Sequence, residues 1–269
     1  MRGLQTPVRA IRRQVFTEVA KLGFKANAET LVADMEAIPY EIVGEDSEVK
    51  YRESIYRARA VVRERLRLAM GLSLRPENKP VHLTAGVEAS NISEKYYEPP
   101  LMQVIPSGCE SCEENKYEVS NMCKGCLAHP CQEVCPRGAI SMVNGKSFID
   151  QDKCIKCGKC KSVCPYDAIA KKERPCKKAC GVNAITSDKL GRAYIDADKC
   201  VSCGMCMVSC PFGAISDKSQ IFQLARALSE GEEIVAEVAP AFVGQFGSNI
   251  NVRNFKAALE ELGFSETYE

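Results

Sequence analysis

Through the first hundred residues apolar side chains recur every three or four positions, a period that predicts helices. Thr6 can cap a helix with Pro7 at its first position; Val8, Ile11, Val15 and Val19 form its apolar stripe, and Gly23 is expected to stop it. A second short helix, capped by Asn27 and carrying Leu31, Met35 and Ile38, is expected to end before Pro39. Ser47 opens a third, with Tyr51, Ile55, Ala58, Val62 and Leu66 on one face and Gly71 as its stop. These helices predict a bundle over 1–100, and the proline-rich stretch from Glu98-Pro99-Pro100 to Pro106 reads as a linker. After Ile215, Asp217 can cap a helix with Ile221, Leu224, Ala225 and Leu228, closed by Gly231. Ile234 to Val238 then reads as a strand, Phe255, Ala258, Leu259 and Leu262 as a helix face, and Gly263-Phe264 as the approach to a further strand. That is the opening of a β-α-β unit, whose parallel strands need buried neighbours. The chain ends at Glu269 before such neighbours arrive, so 217–269 is expected to be the truncated start of an α/β domain in something longer.

Between these regions the pattern is set by cysteine. All sixteen cysteines lie from Cys109 to Cys210, and four times a pair spaced C-x3-C runs into the same ending. The copies are Cys131/Cys135-Pro-Arg-Gly-Ala-Ile, Cys160/Cys164-Pro-Tyr-Asp-Ala-Ile, Cys176/Cys180-Gly-Val-Asn-Ala-Ile and Cys206/Cys210-Pro-Phe-Gly-Ala-Ile. A disulfide scaffold would be small and secreted with cysteines spread along it; this concentration reads as metal ligation in a reducing cytoplasm. Two copies carry the full C-x2-C-x2-C-x3-C-P run, Cys154/Cys157/Cys160/Cys164 and Cys200/Cys203/Cys206/Cys210, the bacterial ferredoxin spacing for 4Fe-4S clusters. The expected fold is therefore α+β: helices over 1–100, a ferredoxin-like cluster domain over 101–216, and the α/β start over 217–269.

In a two-cluster ferredoxin three cysteines of a run wrap one cluster and the fourth crosses to its neighbour. Applied to the two full runs, this expects Cys154, Cys157, Cys160 and Cys210 on one cluster and Cys200, Cys203, Cys206 and Cys164 on the other. Cys123/Cys126/Cys131/Cys135 is a run with two extra residues before its third ligand, and Cys176/Cys180 is a tail without an adjacent pair. One expectation puts Cys109, Cys112, Cys176 and Cys135 on a third cluster, with Cys123, Cys126, Cys131 and Cys180 on a fourth. The alternative is a structural zinc held by Cys109, Cys112, Cys123 and Cys126, two pairs separated by ten residues. His129 lies beside Cys131 but four cysteine sites are already filled, and His82 has no partner in sequence.

Charge narrows the function classes. The formal net charge is +1, yet each oxidised cluster with four thiolates carries roughly two negative charges, so four would bring the holoprotein to about −7. Nucleic-acid binding therefore starts from the wrong sign. No apolar run reaches the length of a membrane span, and Arg12-Arg13 is not followed by the apolar segment of an export signal. The arginines at 52, 57, 59, 63, 65 and 67 can dock an acidic partner or lie on a solvated face. Nine basic residues from Lys153 to Lys178 can receive an acidic ferredoxin or offset the clusters' own charge. No nucleotide-binding glycine fingerprint, phosphate loop or nucleophilic triad stands out.

With these residues in view, the chain resembles the amino-terminal part of the monomeric iron-iron hydrogenases, in particular the clostridial branch called group B. The resemblance rests on the runs from Cys123 to Ile215, the Val238-Ala239-Pro240-Ala241 strand, the Phe246-Gly247 turn and the Leu259 to Phe264 helix end. In that family the hydrogen-activating cluster is held by cysteines in Thr-Ser-Cys-Cys-Pro, Met-Pro-Cys and Cys-x-Gly-Gly-Cys segments, none of which occurs here. The resemblance thus implies the accessory electron relay, exchanging electrons with a soluble ferredoxin and a catalytic hydrogenase domain or subunit, without hydrogen chemistry of its own. Gly181 after Cys180 and the insertion before Cys131 depart from the family pattern. A free-standing polyferredoxin subunit and a non-catalytic iron-sulfur sensor are the rival readings.

Overall fold

The computed structural model describes residues 5–25, 29–45, 52–92, 98–247 and 249–269. Its helices are α1 (Pro7–Lys25), α2 (Leu31–Ile42), α3 (Ile55–Ala69), α4 (Val87–Ser90), α5 (Pro130–Glu133), α6 (Lys159–Ser162), α7 (Pro175–Lys178), α8 (Met205–Ser209), α9 (Ile221–Glu230) and α10 (Val252–Glu261). Its strands are β1 (Met102–Val104), β2 (Lys116–Val119), β3 (Ile140–Val143), β4 (Lys146–Ile149), β5 (Ile169–Lys172), β6 (Ile185–Ser187), β7 (Ala193–Ile195), β8 (Ile215–Asp217), β9 (Val235–Glu237) and β10 (Glu266–Tyr268). They form two compact units, Met1–Gly108 with Phe212–Glu269, and Cys109–Pro211. No helix among the described residues is long and apolar enough to cross a membrane.

In the first unit, Val15, Val19, Met35, Ile38, Val62 and Leu66 from α1, α2 and α3 share one core with Phe222 of α9, so the segments before residue 100 and after 217 pack together. Gly23 does not stop α1, which continues to Lys25. Its missing side chain serves packing instead, since a Cβ there would lie 2.7 Å from both the Ala225 Cβ and the Phe222 carbonyl. Pro39 does not end α2, which runs on to Ile42; it sits in the last turn, where few backbone bonds remain to break, and its own carbonyl accepts from the Val43 N–H at 3.2 Å. The expected caps Asn27 and Ser47, and Tyr51, lie outside the described residues. Helix α3 is capped by Ser54, whose hydroxyl accepts from the Tyr56 N–H, and it gives way to Gly71 at φ +77°.

The α3 arginines are mostly internal. Arg67 donates to the carbonyls of Ser73, Leu83 and Ala85, Arg59 to that of Val43, and Arg65 to the Gly213 carbonyl and the Ser216 hydroxyl. They hold the irregular backbone after the helix and the approach to β8, where carbonyls would otherwise be buried unpaired. Asp217 does not cap α9; it ends β8 and pairs with Arg12 at 2.7 Å, and the Ser219 hydroxyl accepts from the Ile221 N–H instead. Gly231 at φ +76° closes α9 as expected. Strands β9 and β10 pair parallel across α10, and Phe255 of that helix stacks on Phe242 at 4.5 Å. β1 pairs antiparallel with β8, Val104 opposite Ile215.

The second unit holds every cysteine. Strands β2 and β5 pair antiparallel with Lys116 opposite Lys172, and β3 and β4 form a hairpin through Asn144-Gly145, both at positive φ. β6 and β7 form a second hairpin, Ile185 opposite Ile195. Helices α5 and α6 pack together, as do α7 and α8. Thus 116–172 is a complete two-run unit, inserted between Cys112 and Cys176 of another run. Because β2 and β5 are paired, the ends of the insert emerge side by side, and 113–115 and 173–175 are all that is needed to bridge them.

Candidate iron-sulfur centres

The repeated tail has one local geometry. The third residue after each run's last cysteine, Gly138, Asp167, Asn183 or Gly213, is left-handed with φ of +56°, +48°, +52° and +60°. Glycine, asparagine and aspartate tolerate that region best, which explains the variation at this position. The following alanine turns its N–H back to the cysteine, Ala139 to Cys135 Sγ and Ala184 to Cys180 Sγ, both at 3.3 Å. The isoleucine then opens a strand and is buried at 140, 169, 185 and 215. At the front of each run the residue before the second cysteine is also left-handed: Ser111, Gly125, Lys156 and Ser202, at +46°, +58°, +60° and +56°. Cys109/Cys112 therefore has the loop of the other three runs.

The third cysteine of each run, Cys131, Cys160, Cys176 or Cys206, lies buried on a single-turn helix. The hairpins reach the first cysteines equivalently, with the Ser147 N–H 3.5 Å from Cys123 Sγ and the Ala193 N–H 3.4 Å from Cys109 Sγ. All sixteen are free thiols.

One cavity is lined by Cys135, Cys154, Cys157 and Cys160 between Tyr117, Ile140 and Ile149. A second is lined by Cys123, Cys126, Cys131 and Cys164 beside Val119, Ser147 and Ile169. A third group is visible in its electrostatics. The Cys176 thiol is pushed up to about 12, first by burial and then by the charges of Cys210 and Cys109. Burial pushes Cys112 up as well, reinforced by Cys210 and Cys109. In the fourth, Cys206 is raised to about 11 by burial, with Cys200 and Cys203 adding to it.

The expected triplets therefore converge, but their fourth members differ. Cys135 lines the cavity of Cys154, Cys157 and Cys160, where spacing expected Cys210; Cys164 lines that of Cys123, Cys126 and Cys131, where spacing expected Cys180; and the charge of Cys210 bears on Cys112 and Cys176, where spacing expected Cys135. Cys164, expected around Cys200, Cys203 and Cys206, thus lies beside the Cys123 run. The physical reason is strand pairing. The β3–β4 hairpin places Ile140, just after Cys135, against Ile149, just before Cys154, so adjacent runs close on each other whatever their spelling. Of the zinc candidates, Cys123 and Cys126 line the second cavity, while Cys112 feels the charges of Cys109 and Cys210.

The chemistry of the donors fits a cluster. A buried thiol whose pKa is raised gives up its proton only to a strong positive charge, which an iron core supplies. Apolar walls exclude water, and N–H groups aimed at sulfur stabilise thiolate; the Ser147 N–H holds Cys123 below its usual value. His129, left-handed at φ +40°, precedes α5 and lines neither cavity. What the spacing concealed is Arg174, 4% exposed beside the split run; a lone arginine among nine basic residues carries no signal of burial.

The sites differ in their rims. Lys156, Lys159, Lys161 and Arg137 are exposed around Cys157, while the equivalent run has Ser202, Met205 and Met207 in place of the three lysines. Cys157 and Cys203 are the two exposed cysteines.

Residues 148–170 and 193–216 match the 4Fe-4S binding domain family, so the chain carries 4Fe-4S binding sequences over the two full runs. An uncharacterized ferredoxin of Methanocaldococcus jannaschii is 32% identical over 99 residues, covering 30% of this chain and 63% of the relative. A second from the same organism is 37% identical over 65 residues, 24% of this chain and 39% of the relative. The electron transport protein HydN of Escherichia coli is 41% identical over 56 residues, 21% of this chain and 32% of HydN. The chain spans less than two thirds of the length of each of these relatives.

Proposed function

We propose that this chain relays single electrons through four 4Fe-4S clusters. The ligand sets are Cys135/Cys154/Cys157/Cys160, Cys123/Cys126/Cys131/Cys164, Cys109/Cys112/Cys176/Cys210 and, by equivalence of the runs, Cys180/Cys200/Cys203/Cys206. The observation that carries this reading is the recurrence of one front loop and one tail turn in all four runs, with four thiols lining each of two cavities. A bound cluster supplies a reversible one-electron carrier, and the chain tunes it through burial and N–H donors to sulfur. Similarity to ferredoxins and to an electron transport protein supports the same reading. The lysine rim at Cys157 fits an acidic redox partner such as a soluble ferredoxin. Anaerobic reconstitution tests the count: about sixteen iron atoms per chain with matching sulfide and no zinc is expected. Three clusters with one tight zinc would refute it.

Within this reading, the chain is the wiring of a larger oxidoreductase. The β9-α10-β10 unit supports the hydrogenase context, because parallel strands joined through a helix are what the resemblance implies for that stretch. Such a relay reduces a ferredoxin but evolves no hydrogen from reduced methyl viologen; measurable hydrogen from the chain alone would overturn this assignment.

A further inference from the structure

Three runs keep their second and third cysteines within one loop, whereas Cys112 and Cys176 have sixty-three residues, 113–175, between them. Their site must be held by something other than the continuity of the chain. Arg174 is placed for this, two residues before Cys176. Its Nε and Nη2 both donate to the Cys112 carbonyl, at 3.0 and 2.9 Å. Nη2 also donates to the Gly191 carbonyl at 2.7 Å, and Nη1 to the Thr186 carbonyl and Ser187 hydroxyl at 3.3 and 3.1 Å. Those three acceptors belong to the β6–β7 hairpin, whose Ala193 N–H reaches Cys109 Sγ. Glu114, two residues after Cys112, sits 3.1 Å from Nη1 and also binds Lys177 and Ser187.

We propose that Arg174 is the positioning residue of the split site, a splint that fixes Cys112 to Cys176 and both to the hairpin holding Cys109. The inference rests on the four-cluster reading. Only a planar guanidinium can meet this demand, because Nε and Nη2 of its rigid fork converge on the Cys112 carbonyl while Nη2 and Nη1 also span to the hairpin; an ammonium offers a point charge. Its side chain is 3% exposed, so the bonds are not exchanged with water.

The test compares R174K, R174Q and K178Q in the full chain, reconstituted anaerobically. Lys178 is exposed and pairs with Glu173, so K178Q should match wild type. R174K should assemble four clusters, three with wild-type midpoints and one released to a ferrous chelator at least tenfold faster. R174Q should lack one cluster of the four, with the remaining three midpoints unmoved. Four clusters with wild-type release rates and midpoints in both variants would overturn the proposal. So would a loss spread evenly over all sites, which would make Arg174 a residue of general stability. Fewer than four clusters in the wild type would defeat the underlying reading, before any variant is made.

Discussion

Gly125→Ala tests whether the turn geometry, and not only the cysteines, builds a site. Gly125 lies between Cys123 and Cys126 at φ +58°, and a Cβ there would sit 2.1 Å from the Gly145 carbonyl oxygen. An ordinary contact needs at least 3.4 Å, so the Asn144-Gly145 turn has to retreat by about 1.3 Å. The Ser147 N–H, already 3.5 Å from Cys123 Sγ, then loses that sulfur, and the Ser147 hydroxyl, 3.3 Å from Cys131 Sγ, is drawn off with it. A left-handed alanine costs roughly 1–2 kcal/mol, and two net hydrogen bonds about 0.5–1.5 kcal/mol each, giving about 2–5 kcal/mol in all. Gly145→Ala is the control, since Gly145 is left-handed at +73° with nothing within 4 Å of its Cβ and should cost only the backbone part. Gly181→Ala, in ordinary backbone space with nothing within 4 Å, should be near neutral. Anaerobic melting at one scan rate, read at the cluster absorbance, should rank them wild type and G181A first, G145A next and G125A last. The midpoint potential of one cluster in G125A should also fall, because two donors to sulfur are lost. If G125A melts with G145A and moves no midpoint, the steric argument is wrong.

Pairing of the fourth ligands is open to a signal-deletion test: Cys135→Ser and Cys154→Ser should remove the same cluster by electron paramagnetic resonance, and Cys210→Ser a different one. Loss of one common signal in C210S and C154S would restore the pairing expected from spacing alone. Stripping iron should unfold the cysteine-bearing unit, whose interior residues include cluster thiols such as Cys131 and Cys160, while the first unit keeps its own apolar core. Far-UV circular dichroism should then retain most of its helical signal while trypsin cuts between 109 and 211; cuts concentrated in α1 to α3 would contradict it. Arg67→Met strands the carbonyls of Ser73, Leu83 and Ala85 and should cost about 2–4 kcal/mol in urea, with Arg67→Lys recovering part of it. A variant of wild-type stability would show that water reaches those carbonyls.

What could be read from the chain follows the reach of each interaction. On the proposed ligand sets, three members of each site were legible because they sit in one loop or, for Cys176, because a tail without a pair leaves only Cys109/Cys112 to complete it. The fourth member was not, since it depends on which strands meet, and two identically spelled runs are no more attracted to each other than two different ones. Chain order decides instead: a run and its successor are joined by a short hairpin, so closing Cys123–Cys135 on Cys154–Cys164 costs little loop entropy. The outer pair faces the opposite problem, and its solution lies in the insert. By pairing β2 with β5 at Lys116 and Lys172, the inner unit returns the chain to where it left, so the long separation of Cys112 from Cys176 becomes a neck of a few residues. Helix breakers misled for the same reason: Gly23 and Pro39 punctuate a sequence, yet Gly23 is spent on the approach of α9 and Pro39 on a final turn. At the neck of the insert Glu114 and Arg174 face each other across the junction, and there the fold replaces a missing peptide loop with side chains.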